Sequence, residues 1–216
     1  MAHDESPETG GGEDADFGLR LALLQGHLQI GRELLDAGQQ ENAIPHFGHP
    51  VRELYGDIRP VIAARGGEQL EGDLVRTESL AVLNGESPDF AASFDASMAK
   101  VAAARALIPA ATLNTDAYAL RLAADIAGVA AQEYRNALVG GRIDSLIEYH
   151  DARGFIFYAA DMLAERESSD PRMAEAARIV GELRSFVEPL NPPDPPRADD
   201  AQFAAKAAEL RALVGG

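Results

Sequence analysis

Apolar residues return at steps of three and four along almost the whole chain, and no stretch alternates apolar with polar side chains convincingly. A period near 3.6 buries one stripe of a helix, whereas a period of two buries one face of a strand. The chain is therefore expected to be all-α. Its side chains agree. Alanine is abundant, tryptophan is absent and aromatics make up only 6%, which suits helices that approach closely better than the aromatic and β-branched faces of a sandwich.

Breakers and caps divide this pattern. Residues 1–15 are rich in Gly, Asp, Glu and Ser and are expected to form a disordered acidic tail. A helix should run from Phe17 to the stop at Gly38, followed by a second from about Gln40 that is bent at Pro50 and disturbed again at Pro60. Gly66-Gly67 reads as a turn before a short helix over about 68–84. Ser87-Pro88 and Asp170-Pro171 each combine an N-cap with proline at the first helical position. Between them, helices are expected over about 88–107, from Asn114 or Thr115 to about Leu138, and over about 143–167 after Gly140-Gly141. The helix after Asp170 should end near Val187. The expected fold is an antiparallel bundle of seven or eight helices with a single domain at 16–189. The NPPDPP segment at 190–198 should be a stiff linker. An amphipathic helix within 199–216 then either docks on the bundle or engages a protein partner.

Gly26–Tyr55 is the densest stretch in chemistry, with three of the five histidines, two prolines and Glu53. Gly31, Leu34, Gly38, Ala43 and Phe47 fall at small, large and turn positions that let two antiparallel helices close on each other. On these residues, positions 23–50 resemble a single tetratricopeptide-type helical hairpin. The pattern departs from that motif at His27, where a large aromatic is usual, and at Pro50, where a small residue is. It does not recur at the motif's period, so the chain is not a repeat array. The resemblance implies hairpin geometry and no function.

His46, His49 and Glu53 stand at steps of three and four, which on one helix places them on neighbouring turns of one face. Imidazole and carboxylate are ligands for zinc, copper or iron. His27 lies on the apolar stripe of the first helix. Glu133 falls on a stripe with Ile126, Val129, Ala130 and Ala137, and a buried carboxylate demands a cation, a histidine or a proton. His150 follows Ile143 and Ile147 inward, with Asp161 continuing its stripe, while Glu148 and Asp151 are expected on solvated faces. The candidate metal ligands are therefore His27, His46, His49, Glu53, Glu133 and His150, converging on one divalent transition metal, with the bend at Pro50 deciding whether His46 or His49 turns inward. The competing expectation is structural: histidines that satisfy the broken helix turn, and Glu133 paired with His150 or Arg153.

A net charge of −16 opposes binding to nucleic acid. With no cysteine, disulfides, thiolate metal sites and cysteine nucleophiles are excluded. No apolar run is long enough to span a bilayer. The polar start MAHDESPETGGGEDAD reads as the mature end of an exported, periplasmic bacterial protein, with a cytoplasmic one as the alternative. No P-loop, dinucleotide fingerprint or nucleophile elbow is present. The residues favour a non-enzymatic binding protein for a metal in trafficking, sensing or storage. A metal-free interaction scaffold, or a metalloenzyme using the same site, are the alternatives.

Overall fold

The computed structural model describes residues 9–215, and side chains from residue 12. The all-α expectation holds. In chain order the elements are α1 (Thr9–Asp36), α2 (Gln40–His49), a π turn (Pro50–Leu54), α3 (Tyr55–Ala64), α4 (Glu71–Asn84), α5 (Pro88–Arg105), α6 (Ala110–Leu113) and α7 (Asp116–Ala137). A two-strand hairpin, β1 (Leu138–Val139) and β2 (Arg142–Ile143), precedes α8 (Leu146–Ala164), α9 (Pro171–Val187) and α10 (Asp200–Ala212). With α2, the π turn and α3 counted as one bent rod and the single turn of α6 set aside, these make eight rods. The caps read from sequence are in place: the side chains of Ser87, Thr115 and Asp170 accept from the backbone N–H groups of Phe90, Tyr118 and Arg172.

Three local expectations are corrected. First, α1 begins at Thr9, inside the segment expected to be a disordered tail. Asp14 is buried and pairs with Arg65 at 2.7 Å, and Ala15 and Phe17 are buried beside it, so tertiary contacts outweigh the poor helix propensity of the glycines. Residues 1–8, including His3, lie outside the described residues. Second, α8 starts at Leu146 rather than near Ile143. Gly140 and Gly141, with φ of +60° and +79°, supply the left-handed pair of a tight hairpin turn, which ties Leu138 to Ile143 and Val139 to Arg142.

Third, the proline-rich segment before α10, expected as a stiff linker, is strapped to the bundle. Tyr149 and Tyr134 donate to the carbonyls of Pro189 and Ala198 at 2.7 Å each, and His150 Nε2 lies 2.9 Å from the carbonyl of Leu190. The last helix docks: α10 packs on α7 and α9, burying Phe203, Ala207 and Leu210. Phe203 stacks on Tyr134 with ring centroids 4.6 Å apart. Among the described residues no helix is long and apolar enough to cross a membrane.

Two close approaches set the geometry that matters for function. A Cβ on Gly31 would lie 2.9 Å from the ring of Phe47, and one on Gly154 would lie 2.6 Å from the carbonyl oxygen of Gly26. The first closes α1 on α2, as the hairpin reading expected. The second draws the backbone of α1 onto that of α8, one residue from His27 and three from Asp151.

Candidate metal centre

Asp151 sits at the middle of the site. The residue is 3% exposed and its carboxylate meets three imidazoles: Oδ1 lies 2.7 Å from His27 Nδ1 and 2.8 Å from His46 Nδ1, and Oδ2 lies 3.4 Å from His49 Nδ1. One ligand atom from each of the four residues falls within 4.8 Å of all the others. Donors held about 2.0–2.2 Å from a common tetrahedral centre stand ~3.4 Å apart, so a group this close together could hold a metal ion.

Each side chain arrives for a local reason. His27 follows Gly26, where α1 touches α8, and packs edge-on against Phe155 at 4.9 Å. His46 and His49 occupy the last turn of α2, immediately before Pro50. Proline has no N–H to donate and its ring crowds the preceding turn, and here the helix widens: the Tyr55 N–H bonds the carbonyl of Pro50. Such π turns recur at functional sites. The bend does not choose between the two histidines; both face Asp151. It does carry Glu53 away, because a widened turn breaks the four-residue step that would have kept Glu53 on the same face. Glu53 is exposed and reaches His49 only through its charge.

The hydrogen-bond pattern separates the four groups. His46 Nδ1 is placed to donate to Asp151, whereas His27 Nδ1 and His49 Nδ1 reach the same carboxylate only in bent contacts of 2.7 and 3.4 Å, and the buried His46 Nε2 has no partner. The nitrogen of His27 is within bonding distance of the carboxylate yet misaligned for N–H donation. Burial lowers the His46 pKa, against the pull of Asp151. A hydrogen bond to Asp151 raises that of His49 against its burial. Burial would raise Asp151, but the charges and hydrogen bonds of the three histidines outweigh it and hold the carboxyl well below the usual range.

The remaining candidates lie around this group. Glu133 is half-buried beside the charge of Asp151; desolvation first, then Asp151 and a hydrogen-bonded Glu148, push its pKa up to about 7. Neither Glu133 nor His150 is among the four. His150 spends Nε2 on Leu190, leaves Nδ1 unpartnered, and is pushed down to about 4, chiefly by burial. Arg153 pairs with Glu33 rather than Glu133.

Asp151 was expected on a solvated face and is the hub instead, while Asp161, expected on the buried stripe, is exposed. Nearly every face of α8 is covered between Tyr149 and Ile156, so periodicity could not single out one stripe there. The signal that remained was Gly154: a small residue three positions on, where another helix crosses.

Residues 109–215 match the model of a family described as the iron permease-associated 4-helix bundle domain. No curated protein and no solved structure matches the chain. The matched stretch holds α7, α8, α9 and α10 as its four long helices and contributes Asp151, Glu133 and His150. His27, His46 and His49 come from α1 and α2, outside the matched stretch.

Proposed function

We propose that the chain is a helical binding protein for a divalent transition metal, held by His27, His46, His49 and Asp151, with Glu133 and His150 around that shell and Glu53 outside it. The observation that carries this is the meeting of three imidazoles from two helices on one buried carboxylate, with ring nitrogens left unpartnered. A buried carboxylate demands a cation; His49, shifted toward its protonated form, supplies one without metal, and a bound metal would replace that proton. Three nitrogens and one oxygen suit zinc, copper or iron. The likeness of residues 109–215 to an iron permease-associated bundle makes iron the first metal to test and a permease the class of partner to seek.

Carriage is favoured over catalysis. His27, His46 and Asp151 are 3%, 0% and 3% exposed, so a substrate would have to reach the metal past His49, whose side chain is 18% exposed. That opening suits entry and exit of an ion better than turnover of an organic molecule.

The test is elemental analysis and calorimetry on tag-free protein with ferrous iron, zinc and copper. One equivalent of metal is expected, with affinity lowered by more than about 100-fold in His46→Ala and Asp151→Asn, since even outer partners of metal ligands are worth about 10–100-fold. Absence of stoichiometric binding by any of the three metals would leave the cluster as a buried His–Asp network and the protein as an interaction scaffold.

A further inference from the structure

Two turns beyond Asp151 along α8 there is a separate cavity. It measures about 280 Å³ and is lined by Arg105, Tyr118, Leu122, Tyr158 and Met162, and by Glu165 and Arg166. Asp151 and Tyr158 are separated by about 10 Å of helix rise, so this cavity does not share the metal's ligands.

Its cations differ in what they already hold. Arg166 donates to the Leu113 carbonyl at 3.2 Å and lies 4.0 Å from Asp116. Arg105, half-buried at the end of α5, donates from Nη1 to the Tyr158 hydroxyl at 2.8 Å. No carboxylate among the described residues pairs with it. A guanidinium carries five N–H donors in a planar fork suited to a carboxylate, and most of that fork is unspent. The Tyr158 hydroxyl, accepting from Arg105, has its own proton left to give. Burial raises the pKa of Tyr158 and pushes Tyr118 up to about 12, which keeps both phenols as donors. The Tyr118 hydroxyl is buried against Gly18 with no partner.

Opposite these groups the lining is apolar, from Leu122 and Met162. Glu165 and Asp116 balance Arg105 and Arg166 in number, but Asp116 lies 4.0 Å from Arg166 while the Arg105 guanidinium has no carboxylate partner among the described residues. What the cavity offers an anion is therefore that unspent fork and not a net positive charge. We propose that this cavity binds a small monocarboxylate with an apolar body, its head on Arg105 and Tyr158 and its body against Leu122 and Met162. In a chain of net charge −16, general attraction for anions is absent, so such binding has to come from this local constellation.

The experiment is calorimetric titration of the full chain with hexanoate, with its neutral amide hexanamide, and with inorganic phosphate, each with and without a saturating divalent metal. Expected are saturable one-to-one binding of hexanoate, binding of hexanamide and phosphate weaker by about ten-fold or more, and no dependence on metal. Arg105→Met, checked for folding by thermal unfolding, should abolish the preference for acid over amide. Equal binding of acid and amide, no saturable binding of hexanoate, or an unchanged preference in Arg105→Met would overturn the proposal. Tighter binding of phosphate would exclude the apolar body, and dependence on metal would move the ligand to the other site. The comparison of acid with amide on the unaltered chain decides the matter even if the variant fails to fold.

Discussion

Asp151 and His150 are neighbours in sequence with opposite tasks. Asp151 gathers three imidazoles, and because its carboxyl is held ionised while His49 is shifted toward its protonated form, an incoming metal has to displace a proton. Metal binding should release about one proton near neutral pH, seen as a dependence of the calorimetric enthalpy on the ionisation enthalpy of the buffer. A binding enthalpy independent of buffer would count against that charge assignment. His150 instead holds the strap before α10. Its pKa falls from 6.5 to about 4 on folding, so between those values the unfolded chain binds the extra proton and stability rises with pH. The contribution is therefore complete above about 6.5 and lost as pH falls toward 4, amounting to at most about 3 kcal/mol. In metal-free protein, His150→Gln, which can still donate to the Leu190 carbonyl, should flatten this part of the stability curve in chemical denaturation. An unchanged acid limb would show that His150 is not its source.

At the scale of elements, the crossing of α1 over α8 places His27, and its contact is backbone on backbone at Gly26 and Gly154. Gly154→Ala would force these helices apart, at a cost of about 1–3 kcal/mol in stability, and should weaken metal binding by at least about ten-fold without touching a ligand. Thermal unfolding and metal titration of that variant check both halves; stability and affinity like those of the unaltered chain would contradict the crossing. The bend at Pro50 is the other determinant. Its existence was legible, because proline inside an apolar helical period has one physical consequence. Its form was not: whether the ladder kinks, breaks or widens depends on what packs behind it, and the widened turn, which follows both histidines, is what carried Glu53 out. The same limit explains Asp151. On amphipathic α7 the buried stripe could be read, whereas α8 is covered from several sides by α1, α7 and α9, and a helix buried all round offers no stripe to read.

For the whole molecule, helix number, caps and the hairpin closure followed from local chemistry, while the joining of two parts did not. The four-helix portion that resembles an iron permease-associated domain supplies the carboxylate, and the N-terminal hairpin supplies the imidazoles, from positions more than a hundred residues earlier. The strap and α10 belong to the same body, so removal of residues 190–216 would expose Tyr134, Tyr149 and the α7–α9 groove. It should cost at least about 3 kcal/mol from the lost burial of Phe203 and Leu210 alone, read as early digestion in limited proteolysis; a truncated chain as resistant as the full one would contradict that docking. The central claim is that histidines of one part and a carboxylate of the other bind one ion. X-ray absorption spectroscopy of the protein loaded with one equivalent of zinc tests it most directly: three imidazole nitrogens and one oxygen at about 2.0–2.2 Å are predicted, and an all-oxygen shell or a single imidazole would contradict it.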